Sequence, residues 1–161
     1  SDSADRKQRG AWYTPDDLVA RVVEAAVTPE FVERCLLTSN EICIVDPACG
    51  DGRFLIAAAE RIVALGGRAR AIGVDIDRRA VDAARQAVTE APAVASCDVV
   101  HADALSMDWT NIDEPSGSGF DLVIGNPPFL SQMAAAKLVE VRAAEAEART
   151  PTLLSNLWHL L

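Results

Sequence analysis

Short, almost continuously apolar segments alternate with helix-forming segments from residue 40 onward, and this alternation constrains the fold more than any other feature of the chain. Strands that are apolar on both faces are typical of a parallel sheet covered by helices. Strands that alternate with helices also favour right-handed crossovers. We therefore predict an α/β fold with a parallel sheet, whose strands are Ile42–Asp46, Ala71–Asp75, Cys97–His101 and Phe120–Gly125.

Polar residues that start helices mark the segments between and before these strands. Thr14 is the expected N-cap of an N-terminal helix, with Pro15 at the first helical position. Thr28 and Pro29 repeat this pattern for a second short helix, and Asp77 is the expected N-cap of the helix after the second strand. The chain therefore opens with two helices before the sheet begins.

Composition changes along the chain divide it into three regions. Residues 1–39 form a helical segment, residues 40–130 form the α/β core, and residues 131–161 form a helical extension that the chain end cuts short. Only four strands can be placed, which would leave the last one as an exposed apolar edge. We therefore expect the chain to be a fragment, or to be completed by a partner.

The bulk composition narrows the class of protein. The 161 residues are half apolar, enough for one domain with a core, and no apolar run approaches the ~20 residues of a membrane span. The polar N-terminus lacks the apolar core of a signal peptide, and four cysteines without a C-x-x-C pair favour free thiols in the cytosol over a metal site. The net charge of −9 argues against tight nucleic-acid binding by this segment alone.

Polar residues recur at the carboxyl end of each predicted strand, where open parallel sheets bind ligands. These residues are Asp46, Asp75, Asp103 and Asn126. The glycine-rich turn at 46–52 lets backbone approach a ligand at a helix N-terminus, and its spacing differs from dinucleotide and P-loop motifs. It therefore suits a nucleoside without a pyrophosphate, with Asp75 accepting the ribose hydroxyls and Asp103 an adenine amine.

The fourth strand ends in an unusual order of residues, Asn126-Pro127-Pro128-Phe129. Asn126 can present a carboxamide oxygen, and Pro127 holds its carbonyl on a stiff backbone that has no N–H. Phe129 adds a flat apolar face. Two acceptors beside a stacking surface suit a planar ring that carries an NH₂ group.

Taken together, these motifs resemble S-adenosylmethionine-dependent amino-methyltransferases. The matching elements are the turn 46–52 with Phe54, Gly73-Val74-Asp75, Asp103-Ala104 and Asn126–Phe129. The upstream Tyr13-Thr14-Pro15 is similar to the N-terminal cofactor motif of the gamma class of adenine-N6 DNA methyltransferases, which includes the methylases of restriction–modification systems. The resemblance covers about residues 10–130 and implies the Rossmann-like class I methyltransferase fold, truncated after the fourth strand.

The resemblance also implies residue roles around S-adenosyl-L-methionine. Tyr13, Thr14 and Pro15 would border its methionine end, and the turn residues Asp46, Pro47, Ala48, Gly50 and Gly52 would line its amino-acid and sulfonium part. Asp75 would hold the ribose, Ile76 would pack on the adenine, and Asp103 with Ala104 would contact the adenine amine. Cys49 would serve only as a small residue in the turn. No metal is implied.

The resemblance implies methyl transfer to the N6 amine of adenine in DNA. The amine would donate to the Asn126 side chain and the Pro127 carbonyl, which localises its lone pair and stabilises the developing positive charge. The base would flip out of the duplex to reach Pro128 and Phe129, with Phe129 stacking on it. DNA would be bound mostly by a recognition domain outside this chain. A specificity or nuclease subunit would be a further partner, and no interaction with a membrane is implied.

Two other functions remain open from the sequence. The same Asn-Pro-Pro element serves methylation of glutamine amides in release factors and of guanine amines in ribosomal RNA, although the Tyr-Thr-Pro element is not typical of the glutamine enzymes. A non-catalytic cofactor-binding fragment of a larger restriction–modification assembly is the other alternative.

Overall fold

The computed structural model describes residues 14–109 and 119–127. Residues 14–104 and 119–127 form one compact unit, and residues 105–109 belong to a second. The expected helices of region 131–161 lie outside the described residues. Within the described residues, no helix is both long enough and apolar enough to cross a membrane.

The described elements alternate as predicted. The helices are α1 Asp16–Ala26, α2 Pro29–Leu36, α3 Arg53–Ala64 and α4 Arg78–Glu90, and the strands are β1 Ile42–Asp46, β2 Ala69–Asp75, β3 Val94–His101 and β4 Leu122–Val123.

All strand pairings are parallel, and the strand order is β3-β2-β1-β4. Chain order therefore runs outward from β1 to β3 and then returns to the other side of β1 for β4. The register pairs Asp46 with Gly73 and Asp75 with His101, so the carboxyl ends of the strands lie along one edge. A reversal of strand order beside the first strand is the place where open α/β sheets bind ligands.

Apolar side chains are buried on both faces of the sheet. On one face, Ile42 and Ile44 join a cluster with Leu55 and Ile62 of α3, all fully buried. Because neighbouring strand residues point to opposite faces, the equally buried Val45 belongs to the other face. Burial of a Leu or Ile side chain contributes about 1.5–3 kcal/mol, so α3 is held firmly against this face of the sheet.

Local chemistry fixes where α2 and α4 begin. The Thr28 hydroxyl accepts from the N–H of Phe31 at 3.2 Å, with Pro29 at the first helical position. The Asp77 carboxylate likewise accepts from the N–H of Arg79 at 2.9 Å. Both predicted N-caps are confirmed.

Sequence predictions about the ends of four elements are wrong. Strand β2 begins at Ala69 rather than at the predicted Ala71, and β3 begins at Val94 rather than at Cys97, because their parallel ladders extend further than the apolar runs. Thr14 is not an N-cap: the capping position belongs to Pro15, at φ −58° and ψ 145°, and α1 begins at Asp16 without a side-chain cap. The Thr14 hydroxyl instead accepts from the side chain of Asn126. Strand β4 is also shorter than the predicted Phe120–Gly125, because its ladder with β1 ends where the Ile124 N–H meets the Val45 carbonyl.

Candidate functional site

Asp46, the last residue of β1, is the most deeply buried acid of the described chain, with 1% of its surface exposed. Its Oδ1 accepts from the N–H of Ala48 at 3.0 Å, which closes the start of the glycine-rich turn. Burial is the main cause that raises its pKa to about 7, the Ala48 N–H opposes the rise, and the nearby charge of Asp75 adds to it. The edge of the sheet therefore carries a carboxyl group whose charge is poorly compensated by the protein.

Gly125, which follows β4, allows the chain to pass directly over this carboxyl group. A Cβ at Gly125 would lie 2.2 Å from Asp46 Oδ1 and 2.7 Å from its Cγ, closer than any side chain could approach. Glycine is therefore required at this position by the close approach of two strand ends. The approach brings the backbone just before Asn126 against the end of β1.

Asp75, at the end of β2, holds the glycine-rich turn from the other side. Its Oδ2 accepts from the Gly50 N–H at 2.9 Å, and its Oδ1 accepts from the Asp77 N–H at 2.8 Å. The turn is also fixed by the Cys49 N–H, which donates to the Val74 carbonyl at 2.9 Å. Each carboxylate oxygen of Asp75 has more than one lone pair, so both retain acceptor capacity for a ligand.

The turn itself is open above Gly50. Gly50 has φ +54°, a left-handed conformation, and no atom lies within 4 Å of the place where its Cβ would be. Gly52 has φ +83° and is the N-cap of α3. Two other residues of the turn that were predicted to line the site, Pro47 and Ala48, are half-buried. A ligand can therefore approach the backbone here at the N-terminus of a helix.

An apolar side chain lies exposed beyond Asp75. Ile76 is 68% exposed although it follows a buried strand, and its carbonyl is 3.0 Å from the His101 Nε2. The N–H of Ala102 donates to the Asp75 carbonyl at 3.1 Å, which brings the end of β3 beside the end of β2. Asp103 and Ala104 follow at once and are half-buried. An exposed apolar face beside a carboxylate suits a nucleoside.

The side-chain amide of Asn126 is hydrogen-bonded to Thr14. The Asn126 Nδ2 donates to the Thr14 Oγ1 at 3.0 Å, although the two residues are 112 positions apart. Thr14 is 7% exposed, so this contact is shielded from water. With the amide nitrogen bound to Thr14, the Oδ1 end of the side chain points away and is the end available to an incoming donor.

Arg53, the first residue of α3, links the glycine-rich turn to Thr14. Its Nη1 donates to the Thr14 carbonyl at 2.9 Å and to Asp16 Oδ1 at 2.8 Å. Its Nε donates to Asp51 Oδ1 at 2.9 Å, and its Nη2 pairs with the other oxygen of the same carboxylate. This pairing lowers the pKa of Asp51. One guanidinium thus joins the turn after β1 to the chain before α1.

Cys49 has no features of a nucleophile. Its side chain is buried, and its pKa is raised far above the ordinary thiol value because burial, Asp46 and Asp75 all disfavour the thiolate. Gly73 explains the tight fit, since a Cβ there would lie 3.0 Å from the Cys49 sulfur. These contacts support the expectation that Cys49 is a small residue packed in the turn.

The structure brings most of the predicted site residues to the carboxyl edge of a single sheet. Pro127, which directly follows Asn126, is half-buried. Tyr13, Pro128 and Phe129 lie outside the described residues, so the predictions for them stay predictions.

The sequence pattern of one family matches nearly the whole chain. It is that of the N-6 DNA methylases, and it matches residues 2–155. The chain belongs to the N-6 DNA methylase family. This membership confirms the resemblance to adenine-N6 DNA methyltransferases that the ordered motifs indicated.

Relatives of this N-6 DNA methylase chain agree with that assignment. The Type II methyltransferase M.VspI of Vibrio sp. (strain 343) is 29% identical over 124 residues, which are 77% of this chain and 26% of that protein. The chain thus spans about a quarter of the length of this relative.

Solved structures support the fold. A Listeria monocytogenes protein assigned to the class I S-adenosylmethionine-dependent methyltransferases matches with a TM-score of 0.52 and 22% identity, over 80% of this chain and 36% of the other. The methyltransferase subunit of a type I restriction–modification system from Streptococcus thermophilus matches with a TM-score of 0.53 and 21% identity, over 73% of this chain and 23% of the other. The predicted class I methyltransferase fold is therefore confirmed.

Two residues of this N-6 DNA methylase site were not anticipated from the sequence. A glycine at the end of a strand signals a close backbone approach, so Gly125 could have been noticed. Arg53 gives no such signal, because an arginine at the start of a helix is unremarkable and its partner Thr14 is 39 positions away.

Proposed function

We propose that this chain is the cofactor-binding and catalytic part of a DNA methyltransferase that transfers a methyl group from S-adenosyl-L-methionine to the N6 amine of adenine. The observation that carries the proposal is the Thr14–Asn126 hydrogen bond, which takes up the amide nitrogen and leaves Oδ1 as the end of the side chain that can accept from a target amine. Membership of the N-6 DNA methylase family supports the same reaction.

The residues at the edge fit S-adenosyl-L-methionine. The open space above Gly50 admits the amino-acid part against backbone, and Asp75 retains acceptor capacity for ribose hydroxyls. The exposed Ile76 offers a surface for the adenine ring, and Asp103, after the end of the neighbouring strand, would accept from its amine. The buried Asp46, with its raised pKa, favours a positively charged neighbour. Tyr13, Thr14 and Pro15 would border the methionine end.

The chemistry asked of the protein is activation of a weak nucleophile. When bound, S-adenosyl-L-methionine supplies a methyl group on a positively charged sulfur. The adenine amine donates one N–H to Asn126 Oδ1 and the other to the Pro127 carbonyl, which makes its lone pair more localised on the nitrogen and less delocalised into the ring. Both acceptors also stabilise the positive charge that develops on the amine nitrogen. Such positioned acceptors, with the reacting atoms in line, account for most of the rate acceleration.

The target base has to leave the DNA duplex to reach this edge. Phe129 would stack on the flipped adenine, and Pro128 would keep the loop stiff between the two acceptors. The net charge of −9 means that the chain itself attracts phosphate poorly. We therefore propose that DNA is gripped by a recognition domain or a specificity subunit outside these 161 residues.

A substrate comparison tests the proposal. Protein supplied with tritiated S-adenosyl-L-methionine is offered unmethylated DNA, ribosomal RNA and a release factor in parallel. We expect label only in DNA, recovered as N6-methyladenine after enzymatic digestion. Label in guanine of ribosomal RNA, or in a glutamine of the release factor, would replace adenine as the target. Cofactor binding without label in any substrate would favour a non-catalytic fragment.

A further inference from the structure

We infer that Arg53 is a positioning residue for the reaction, because it fixes Asn126 through Thr14. The inference rests on the proposed function, since it gives a purpose to the orientation of the Asn126 amide. The sequence motifs described above do not include Arg53.

The guanidinium of Arg53 lies where three segments converge. It binds both oxygens of Asp51 in the glycine-rich turn and the main-chain carbonyl of Thr14. Its contact with Asp16 adds little, because the Asp16 side chain is 87% exposed and such pairs contribute about 0–1 kcal/mol. The Arg53 side chain itself is only 22% exposed. The contact with the Thr14 carbonyl therefore holds the chain before α1, and the contacts with Asp51 fix the guanidinium beside the turn.

Thr14 needs this support because α1 does not provide it. The residue precedes the helix, Pro15 after it has no N–H, and α1 begins without a side-chain cap. The Thr14 carbonyl accepts from Arg53 while the Thr14 hydroxyl accepts from Asn126. A shift of this residue would therefore move the hydroxyl away from the Asn126 amide.

The consequence reaches the reacting amine. If the Asn126 amide rotated by half a turn, it would present an N–H to the amine and lose the acceptor that the proposed reaction requires. Catalytic groups misplaced by about 1 Å can lose on the order of 100-fold in rate. Arg53 therefore couples the cofactor turn to the acceptor for the target base.

The chain offers a matched control in Arg61, on the same helix. Its Nε donates to the Val27 carbonyl at 3.3 Å, so it also ties α3 to the α1 region through a main-chain oxygen. That contact lies just after the end of α1, whereas the Arg53 contact lies just before its start. Arg61→Met removes a similar link between the same two helices without touching Thr14 or Asn126.

The experiment compares Arg53→Met with Arg61→Met. We expect kcat for DNA methylation to fall about tenfold or more in Arg53→Met and to stay within about twofold of the parent in Arg61→Met. The cofactor Kd should stay within about threefold of the parent value in both variants. The Asn126 side-chain NH₂ signal in ¹H–¹⁵N spectra, identified by its loss in Asn126→Asp, should shift only in Arg53→Met. Arg53→Lys, which cannot span the same acceptors, should shift it in the same direction and serves if Arg53→Met does not fold.

A second pair of variants tests the route through Thr14. If Arg53 acts through the Thr14 hydroxyl, adding Arg53→Met to Thr14→Val should lower kcat by less than a further twofold. Equal losses in the two arginine variants, an unshifted Asn126 signal, or fully additive losses in the double variant would overturn the inference. The NMR comparison needs no turnover, so it remains decisive even if the proposed DNA methylation fails.

Discussion

Ionisation of Asp46 should destabilise the folded protein, and Asp46→Asn should remove this effect. The carboxyl group is 1% exposed and lies against Gly125, and burial raises its pKa from an ordinary 3.8 to about 7. The folded state thus holds the proton more tightly than the unfolded state does. The stabilising contribution of protonated Asp46 is fully present below pH 3.8 and is lost as the pH rises through 7.

The magnitude follows from the two pKa values. Their difference corresponds to about 4 kcal/mol in total, at about 1.4 kcal/mol per pH unit between them. About 2 kcal/mol of this falls between pH 5.5 and 8.5, a window that keeps the acidic chain away from its isoelectric point. Asparagine keeps an Oδ1 that can accept from the Ala48 N–H, so the variant changes the charge with little change in shape.

Urea unfolding followed by circular dichroism, at several pH values, measures the effect. Subtracting the parent from Asp46→Asn at each pH cancels the titration of groups that do not interact with Asp46. The free-energy difference should rise in favour of the variant by about 2 kcal/mol from pH 5.5 to 8.5. A difference that stays constant within about 0.5 kcal/mol would show that Asp46 is ionised in the folded state across this range, and the reasoning from burial would be refuted.

Two further predictions concern the same edge. Gly125→Ala should destabilise the fold by about 1–3 kcal/mol, because its Cβ would lie 2.2 Å from Asp46 Oδ1. This cost should largely disappear when Asp46 is also replaced by alanine, and an equal cost with and without Asp46 would contradict the clash. Binding of S-adenosyl-L-methionine, which carries positive charge, should favour ionised Asp46, so its calorimetric Kd should tighten by up to about tenfold from pH 6 to 8 and lose this trend in Asp46→Asn. A Kd that changes equally in the parent and the variant would place Asp46 away from the charged sulfur.

Local sequence patterns predicted the parts of the fold that depend on local chemistry. Strand β1 was predicted at its observed bounds, because a short, continuous apolar run between turn residues is typical of a buried strand in a parallel sheet. The caps Thr28 and Asp77 were predicted because capping is decided by a few neighbouring residues. The clustering of Asp46 and Asp75 followed from the rule that parallel strands end at one edge.

The misses come from contacts between distant residues. Thr14 has a cap-like sequence context, but its hydroxyl is taken by Asn126, and local sequence contains no information about that pairing. Strand β4 is shorter than its apolar run because pairing with β1 ends at Ile124, before Gly125 passes over Asp46. The role of Arg53 depends on the same long-range arrangement.

The role of Asn126 as the acceptor for the target amine is tested by the single-turnover rate of methyl transfer to unmethylated DNA, measured for the parent and for Asn126→Ala with saturating cofactor. Loss of one positioned hydrogen bond to developing charge costs about 10²–10³-fold in rate. We expect a fall of that size, with the cofactor Kd unchanged within about threefold. An Asn126→Ala variant that methylates adenine as fast as the parent would contradict the proposed mechanism.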